Sequence, residues 1–180
     1  EDELQKMESL SLTDEPKQEV YRDMFVFASY CGGLRVSDIL QMQWKHFDGK
    51  HLNFTIRKTK QQLSIKLPDK ALNIIEKYKF KTINKQGYIF PLLPADLDLN
   101  NPKAIDAAIS SATALINRNL KNIAENAGID KSLSFHVSRH TWATRALRKG
   151  ITIDKVSKLM GHSAIKETMV YAKIVGEELD

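Results

Sequence analysis

The apolar positions of the chain fall into helical and alternating runs that outline its elements. Val20, Met24, Phe27 and Ala28 lie at helical spacing behind Pro16, and Gly32 and Gly33 follow as a stop, so a helix is predicted over 15–30. A short second helix is expected from Val36 to Met42. His51 to Arg57 and Gln62 to Leu67 alternate or carry β-forming residues around a polar Lys-Thr-Lys-Gln turn, which predicts a β-hairpin. Asp69 can cap a helix bearing Leu72, Ile75 and Tyr78. Asn84 to Gly87 break that pattern, and Tyr88 to Leu93 read as a brief extended segment ending near Pro94. Ile105, Ala108, Ile109, Ala112, Leu115, Ile116, Leu120 and Ile123 mark one long helix, or two joined, from Pro102 to about Ala127. It should bury a broad face and close at Gly128. Three shorter helices follow: Val137 to Lys149 ended by Gly150, Ile153 to Met160 capped by Thr152 and ended by Gly161, and Ala164 to about Ile174 capped by Ser163. The expected fold is mainly α with one small antiparallel β-sheet, an α+β chain forming a single domain over 1–180.

Composition agrees with that picture. The 180 residues are 42% hydrophobic and 27% charged, enough to enclose one ordinary core. No apolar run approaches the roughly 18 residues of a membrane span. The acidic start, Glu1, Asp2 and Glu3, lacks the basic-then-apolar order of a signal peptide. The chain therefore reads as a cytoplasmic protein with no membrane partner. Its single cysteine, Cys31, has no internal disulfide partner and sits in an apolar stretch as a small buried side chain. Lys and Arg total 27 against 22 Asp and Glu, a formal charge of +5 that does not decide between a polyanionic partner and an ordinary solvated surface. The distribution is more specific. Arg57, Lys58, Lys60 and Lys66 crowd one segment, and Arg139, His140, Arg145, Arg148 and Lys149 another.

Three clusters could carry chemistry. His136, Arg139 and His140 stand at i, i+3 and i+4 on one helical face. Two histidines four apart can also bind metal, but Val137 follows the first where a metalloprotease helix has glutamate, and Arg139 would repel a cation. Leu159 to Ser163 contain Gly161 and His162, with Tyr171 nine residues beyond His162. Taken alone, these are a turn and a packed tyrosine. In Gly33 to Asp38, Arg35 opens a helix with Asp38 one turn on. They could form a plain surface ion pair, or Asp38 could hold the guanidinium fork toward a phosphate.

Together these segments resemble the tyrosine recombinase family, the integrases of phages and mobile elements. That family carries a Gly-Leu-Arg-x-Ser-(Glu/Asp) segment, matched by Gly33 to Asp38, and a hairpin lysine, matched by Lys58. A His-x-x-Arg-His segment is matched by His136 to His140, and a Leu-Gly-His-Ser type segment with a tyrosine nine residues after its histidine by His162 and Tyr171. Met160 before Gly161 is a mild departure. Lys66 stands where many relatives place a proline at the strand end, and Arg57, Lys60 and Lys66 lie close enough to make the assignment of Lys58 depend on the register of the turn.

The resemblance implies the catalytic-core fold of that family and a recombinase that breaks and rejoins DNA strands through a 3′-phosphotyrosyl intermediate, with no cofactor, metal or ATP. It implies Tyr171 as nucleophile, Arg35 and Arg139 as donors to the nonbridging oxygens, His136 as base, Lys58 as general acid and His162 as a hydrogen-bonding partner of the phosphate. Asp38 and His140 are expected to support Arg35 and the helix packing, and Arg57 and Lys60 to touch DNA. A type IB topoisomerase uses similar residues, and a DNA-binding relative without catalysis would keep the fold alone. Relatives carry an N-terminal DNA-clamping domain, so the expectation is the C-terminal catalytic part of a longer integrase. The expected partner is double-stranded DNA at an attachment or recombination site. The full-length protein would bind it as a homotetramer, with a monomer as the alternative for this part alone.

Overall fold

The structure is a computed structural model and describes residues 2–12, 15–80 and 86–177. In chain order the elements are α1 (Asp2–Ser9), α2 (Pro16–Tyr30), α3 (Val36–Leu40), a 3₁₀ turn (Trp44–His46), β1 (His51–Thr55), β2 (Gln62–Lys66), α4 (Asp69–Glu76), α5 (Pro102–Asn126), α6 (His136–Arg148), α7 (Ile153–Leu159) and α8 (Lys166–Glu177). The mainly helical reading with one two-stranded antiparallel sheet holds. Among the described residues no helix is long and apolar enough to cross a membrane.

Helix α2 is the hub. Every residue from Tyr21 to Ser29 is buried, and α1, α4, α5 and α6 pack around it. Burying Arg22 and Asp23 in such a helix is tolerable only if both are paired. Arg22 Nε lies 2.6 Å from Asp23 Oδ1, and its Nη1 donates to the carbonyls of Leu10 at 2.7 Å and of Met7 and Glu8 at 3.4 Å. Arg22 thereby closes the C-terminal end of α1, a helix that the sparse apolar residues Leu4 and Met7 did not announce. Cys31 is buried as expected.

The hairpin pairs His51 with Lys66, Leu52 with Ile65, Asn53 with Ser64, Phe54 with Leu63 and Thr55 with Gln62. Leu52, Leu63 and Ile65 face the core, and Ser64 Oγ donates to Asn53 Oδ1 at 2.7 Å on the other face. Beyond the strands, Ile56 N donates to Gln61 O at 2.8 Å and Lys60 N to Ile56 O at 2.9 Å, which ties off the turn that carries Arg57 and Lys58.

Several boundaries differ from expectation. Helix α3 ends at Leu40. Tyr88 to Leu93 form no strand: a single bridge joins Tyr88 to Gln43, then turns follow. Tyr88, Ile89 and Phe90 are all buried, Ile89 N is held by Met42 O at 2.9 Å, and Pro91 has no N–H to offer a ladder. Of the preceding breaker, Asn84 and Lys85 lie outside the described residues. The long helix is one piece, begun by Asn101, whose Oδ1 accepts from Ala104 N at 3.2 Å. Its buried stripe of Ile109, Ile116, Leu120, Ile123 and Ala124 is narrower than expected, and Leu115 is exposed. Thr152 occupies the cap position of α7 without bonding a helix N–H. Helix α8 begins two residues later than Ala164. Ser163 does not cap it; its Oγ donates to Glu167 Oε1 at 2.9 Å, and that oxygen accepts from Ala164 N at 3.4 Å.

The buried apolar residues form two groups. The larger surrounds α2, while Ala143, Ala146, Val156, Met160 and Tyr171 form a second, small one where α6, α7 and α8 meet.

Candidate active site

Phe135 N, just ahead of α6, donates to Asn117 Oδ1 of α5 at 2.8 Å, fixing where the helix starts and so where His136 projects. One turn in, Arg139 points inward and is only 4% exposed. Its Nη1 donates to Gly33 O, and its Nη2 lies 3.2 Å from both Met160 O and His162 Nε2. From the start of α3, Arg35 reaches the same turn, donating from Nη1 to Met160 O and from Nη2 to Gly161 O, both at 3.3 Å. Two guanidinium groups thus meet over the Met160 carbonyl, the one acceptor they share. Gly33 has φ +56°, and a Cβ there would stand 3.2 Å from Trp142 Cε3. Gly161 has φ +63°, and a Cβ there would run into Ile56 Cδ1. The two glycines let these loops approach closely enough for both arginines to bridge them.

Burial, with Arg35 alongside, brings the Arg139 pKa down to about 10. The guanidinium remains charged at neutral pH, and the Asp38 and Glu167 carboxylates act on it through space rather than by a hydrogen bond. The bonded partners are neutral carbonyls, and each arginine has further N–H donors beyond those they use. Such a place suits a multivalent oxyanion.

Arg35, Lys58, His136, Arg139, His162 and Tyr171 all line one cleft of about 400 Å³, together with Thr113, Asn117, Ser134 and Glu167. The turn sorts its basic residues between two sides. Lys58, exposed at the tip, belongs to this cleft, whereas Arg57 and Lys60 line a neighbouring cavity of about 620 Å³ that contains none of the six. Arg57 is bonded to Gln41 Oε1 at 3.0 Å and to Asp106 of α5. The larger cavity is therefore not where the clustered chemistry lies.

Asp38 departs from the simplest expectation. Instead of holding the Arg35 fork, its Oδ1 accepts from Arg57 N at 2.9 Å, which pins the turn bearing Lys58 to α3. The carboxyl is 6% exposed, and burial raises its pKa against the opposing pull of that N–H and of Arg35, Arg139 and Arg57.

The aromatic groups form a file. The rings of His136 and His140 are 4.6 Å apart, those of His140 and Tyr171 5.2 Å, and His162 stacks on Tyr171 at 6.5 Å with an interplanar angle of 11°. His140 is thus the imidazole between His136 and Tyr171, a placement that its i+4 spacing hinted at and packing decides. Burial, with Arg139 beside them, lowers the pKa of all three histidines, and of these His136 and His162 line the cleft as neutral imidazoles. Tyr171 is 4% exposed, and its hydroxyl pKa is raised by burial against the pull of Arg139. Its phenol holds its proton until a base takes it. Sequence reasoning passed over Thr168, Asn117 and Glu167. Thr168 is detectable only as a polar residue one helical turn before Tyr171, and the other two are distant or acidic.

Residues 1–177 match the model of the phage integrase family, and the chain belongs to that family. Among curated relatives, a tyrosine recombinase of Thermosipho africanus is 27% identical over 154 residues, covering 83% of this chain and 48% of its own length. The tyrosine recombinase XerA of Saccharolobus solfataricus is 28% identical over 149 residues, covering 82% and 44%. The chain spans about half the length of these relatives. In solved structures the fold recurs in a XerA recombinase with TM-score 0.69 and 21% identity over 95% of this chain and 56% of that one. It recurs also in a lambda integrase dimer bound to a COC′ core site, with TM-score 0.66 and 19% identity over 94% and 46%. At these identities the likeness concerns the fold.

Proposed function

We propose that this chain is the catalytic domain of a site-specific tyrosine recombinase that breaks and rejoins DNA strands through a 3′-phosphotyrosyl bond, without metal or ATP. The observation that carries the reading is the convergence of Arg35, Lys58, His136, Arg139, His162 and Tyr171 on one cleft from α3, the hairpin, α6, α8 and the turn before α8.

Attack on a phosphodiester adds charge to its nonbridging oxygens. Arg35 and Arg139 place donors where that charge develops, and the glycine-lined turn beneath them keeps those donors fixed before substrate arrives. The Tyr171 hydroxyl must lose its proton to attack, and in this reading the neutral imidazole of His136, which lines the same cleft, is the acceptor, while the ring of His140 packs against both. The 5′ oxygen leaves well only when protonated. Lys58 supplies that proton from the hairpin tip, and His162 holds the phosphate in line. The energy of the phosphodiester is kept in the tyrosyl linkage, and a 5′ hydroxyl reverses the step on rejoining.

The substrate is double-stranded DNA at a recombination site, met in the cytoplasm. A lambda integrase structure shows a tetramer bound to a Holliday junction, and the same assembly is proposed for the full-length protein to which this domain belongs. The test is adduct capture on nicked suicide DNA in EDTA, read on a denaturing gel. The wild type should form a covalent adduct mapping to Tyr171, and Tyr171→Phe should bind DNA and form none. Equal adduct from the two proteins overturns the assignment.

A further inference from the structure

We propose that Thr168 is a positioning residue of this site: its buried hydroxyl takes the hydrogen bond of His162 Nδ1–H and so holds the ring in the orientation in which Nε2 meets Arg139 and the cleft. The proposal rests on the active-site reading above. In the DNA-free protein His162 Nε2 stands 3.2 Å from Arg139 Nη2, and a guanidinium can only donate. Nε2 must therefore accept, and the proton of the neutral ring is on Nδ1. Nδ1 lies 2.8 Å from Thr168 Oγ1, so the Nδ1–H donates to that hydroxyl. Thr168 is fully buried and sits on α8 one turn before Tyr171.

Two consequences follow from the geometry. The donor-only guanidinium sets the tautomer, and an Nδ1–H is costly without an acceptor, so the hydroxyl that receives it holds this ring orientation. The chain of contacts Thr168 to His162 to Arg139 also ties the helix of the nucleophile to a phosphate-binding arginine. The stacked rings of His162 and Tyr171 lie alongside this chain, so a displacement of α8 is felt at Arg139 through one imidazole.

The test uses the whole chain labelled with ¹⁵N-histidine, with the His162 signals assigned against His162→Gln. Long-range ¹H–¹⁵N spectra should show the Nδ1–H tautomer in the wild type, in Thr168→Ser and, because Arg139 still needs Nε2 as acceptor, in Thr168→Val, which keeps the shape and removes the hydroxyl; in the valine variant alone the Nδ1 proton should lose its hydrogen-bonded downfield shift and exchange faster with water. Adduct formation should slow roughly 10-fold in Thr168→Val and return to within about 3-fold of wild type in Thr168→Ser. An Nε2–H ring in the wild type overturns the proposal whatever the variants do, including a valine variant that does not fold. An unchanged Nδ1 proton shift, exchange rate and adduct rate in a folded Thr168→Val also overturns it. A wild type that forms no adduct defeats the recombinase reading instead and leaves the tautomer result standing.

Discussion

The hydrogen bond from Arg57 N to Asp38 Oδ1 makes the placement of Lys58 depend on a residue that does not itself line the Lys58 cleft. Asp38→Ala removes the acceptor and leaves the Arg57 N–H, at the root of the turn, without its partner. A hydrogen bond to a charged group contributes about 1.5 to 3 kcal/mol. Burial of the carboxylate, which already raises its pKa, offsets part of that, so about 1 to 2 kcal/mol of stability should be lost in urea unfolding at unchanged slope. The catalytic effect should be selective. If the clip serves to hold Lys58 at the leaving oxygen, cleavage slows by about 10 to 100-fold on ordinary DNA. It should slow far less on DNA whose scissile 5′ bridging oxygen is replaced by sulfur, a leaving group that needs no proton. Asp38→Asn keeps an acceptor oxygen and should stay within a few-fold of wild type, roughly the worth of one neutral bond. An equal defect of Asp38→Ala on both substrates would refute the reasoning and make Asp38 a support of the fold alone.

Arg139→Ala should cut adduct formation by at least 10² to 10³, the worth of one preorganised donor, and lower the melting temperature, because the Gly33 carbonyl loses its side-chain donor and the Met160 carbonyl keeps only Arg35. The three histidines have folded pKa values below the ordinary 6.5. The unfolded chain therefore takes up protons first as pH falls, and stability should decline from about 6.5 downward and level off above it. Denaturant melts at pH 5.0 and 7.5 check this, and equal stability would contradict it. Glu167→Gln keeps the oxygen that bonds Ser163 and removes a negative charge from the cleft, so DNA affinity by fluorescence anisotropy should rise, more at low salt than at high.

Much of this site was legible because its residues sit at fixed offsets from glycines and helix starts. Gly33 with Arg35, and Gly161 with His162, mark turns that only glycine can make at such close approach, and the i, i+3, i+4 spacing of His136, Arg139 and His140 is a property of any helix. The partners that operate across long separations were not legible. Asp38 meets Arg57 rather than Arg35 because the turn folds back over α3, and nothing local in Ser37-Asp38-Ile39 encodes that. The same holds for Asn117 under Phe135, and for α1, whose C-terminal carbonyls are satisfied by Arg22 from the next helix. Tyr88 to Leu93 misled because three consecutive buried residues look like a strand, whereas Pro91 and the bonds to Met42 and Trp44 leave room for a single bridge.

The hairpin turn, finally, works as an address. Lys58 faces one cleft while its neighbours Arg57 and Lys60 face another. The count of residues between the last pair of β1 and β2, Thr55 with Gln62, therefore decides which basic group is delivered to which side. Adding or deleting one residue there would leave the composition and charge of the segment almost unchanged, yet send the wrong side chain to the cleft. Under the proposed mechanism, loop length at this point sets which basic residue reaches the cleft, independently of the segment's composition.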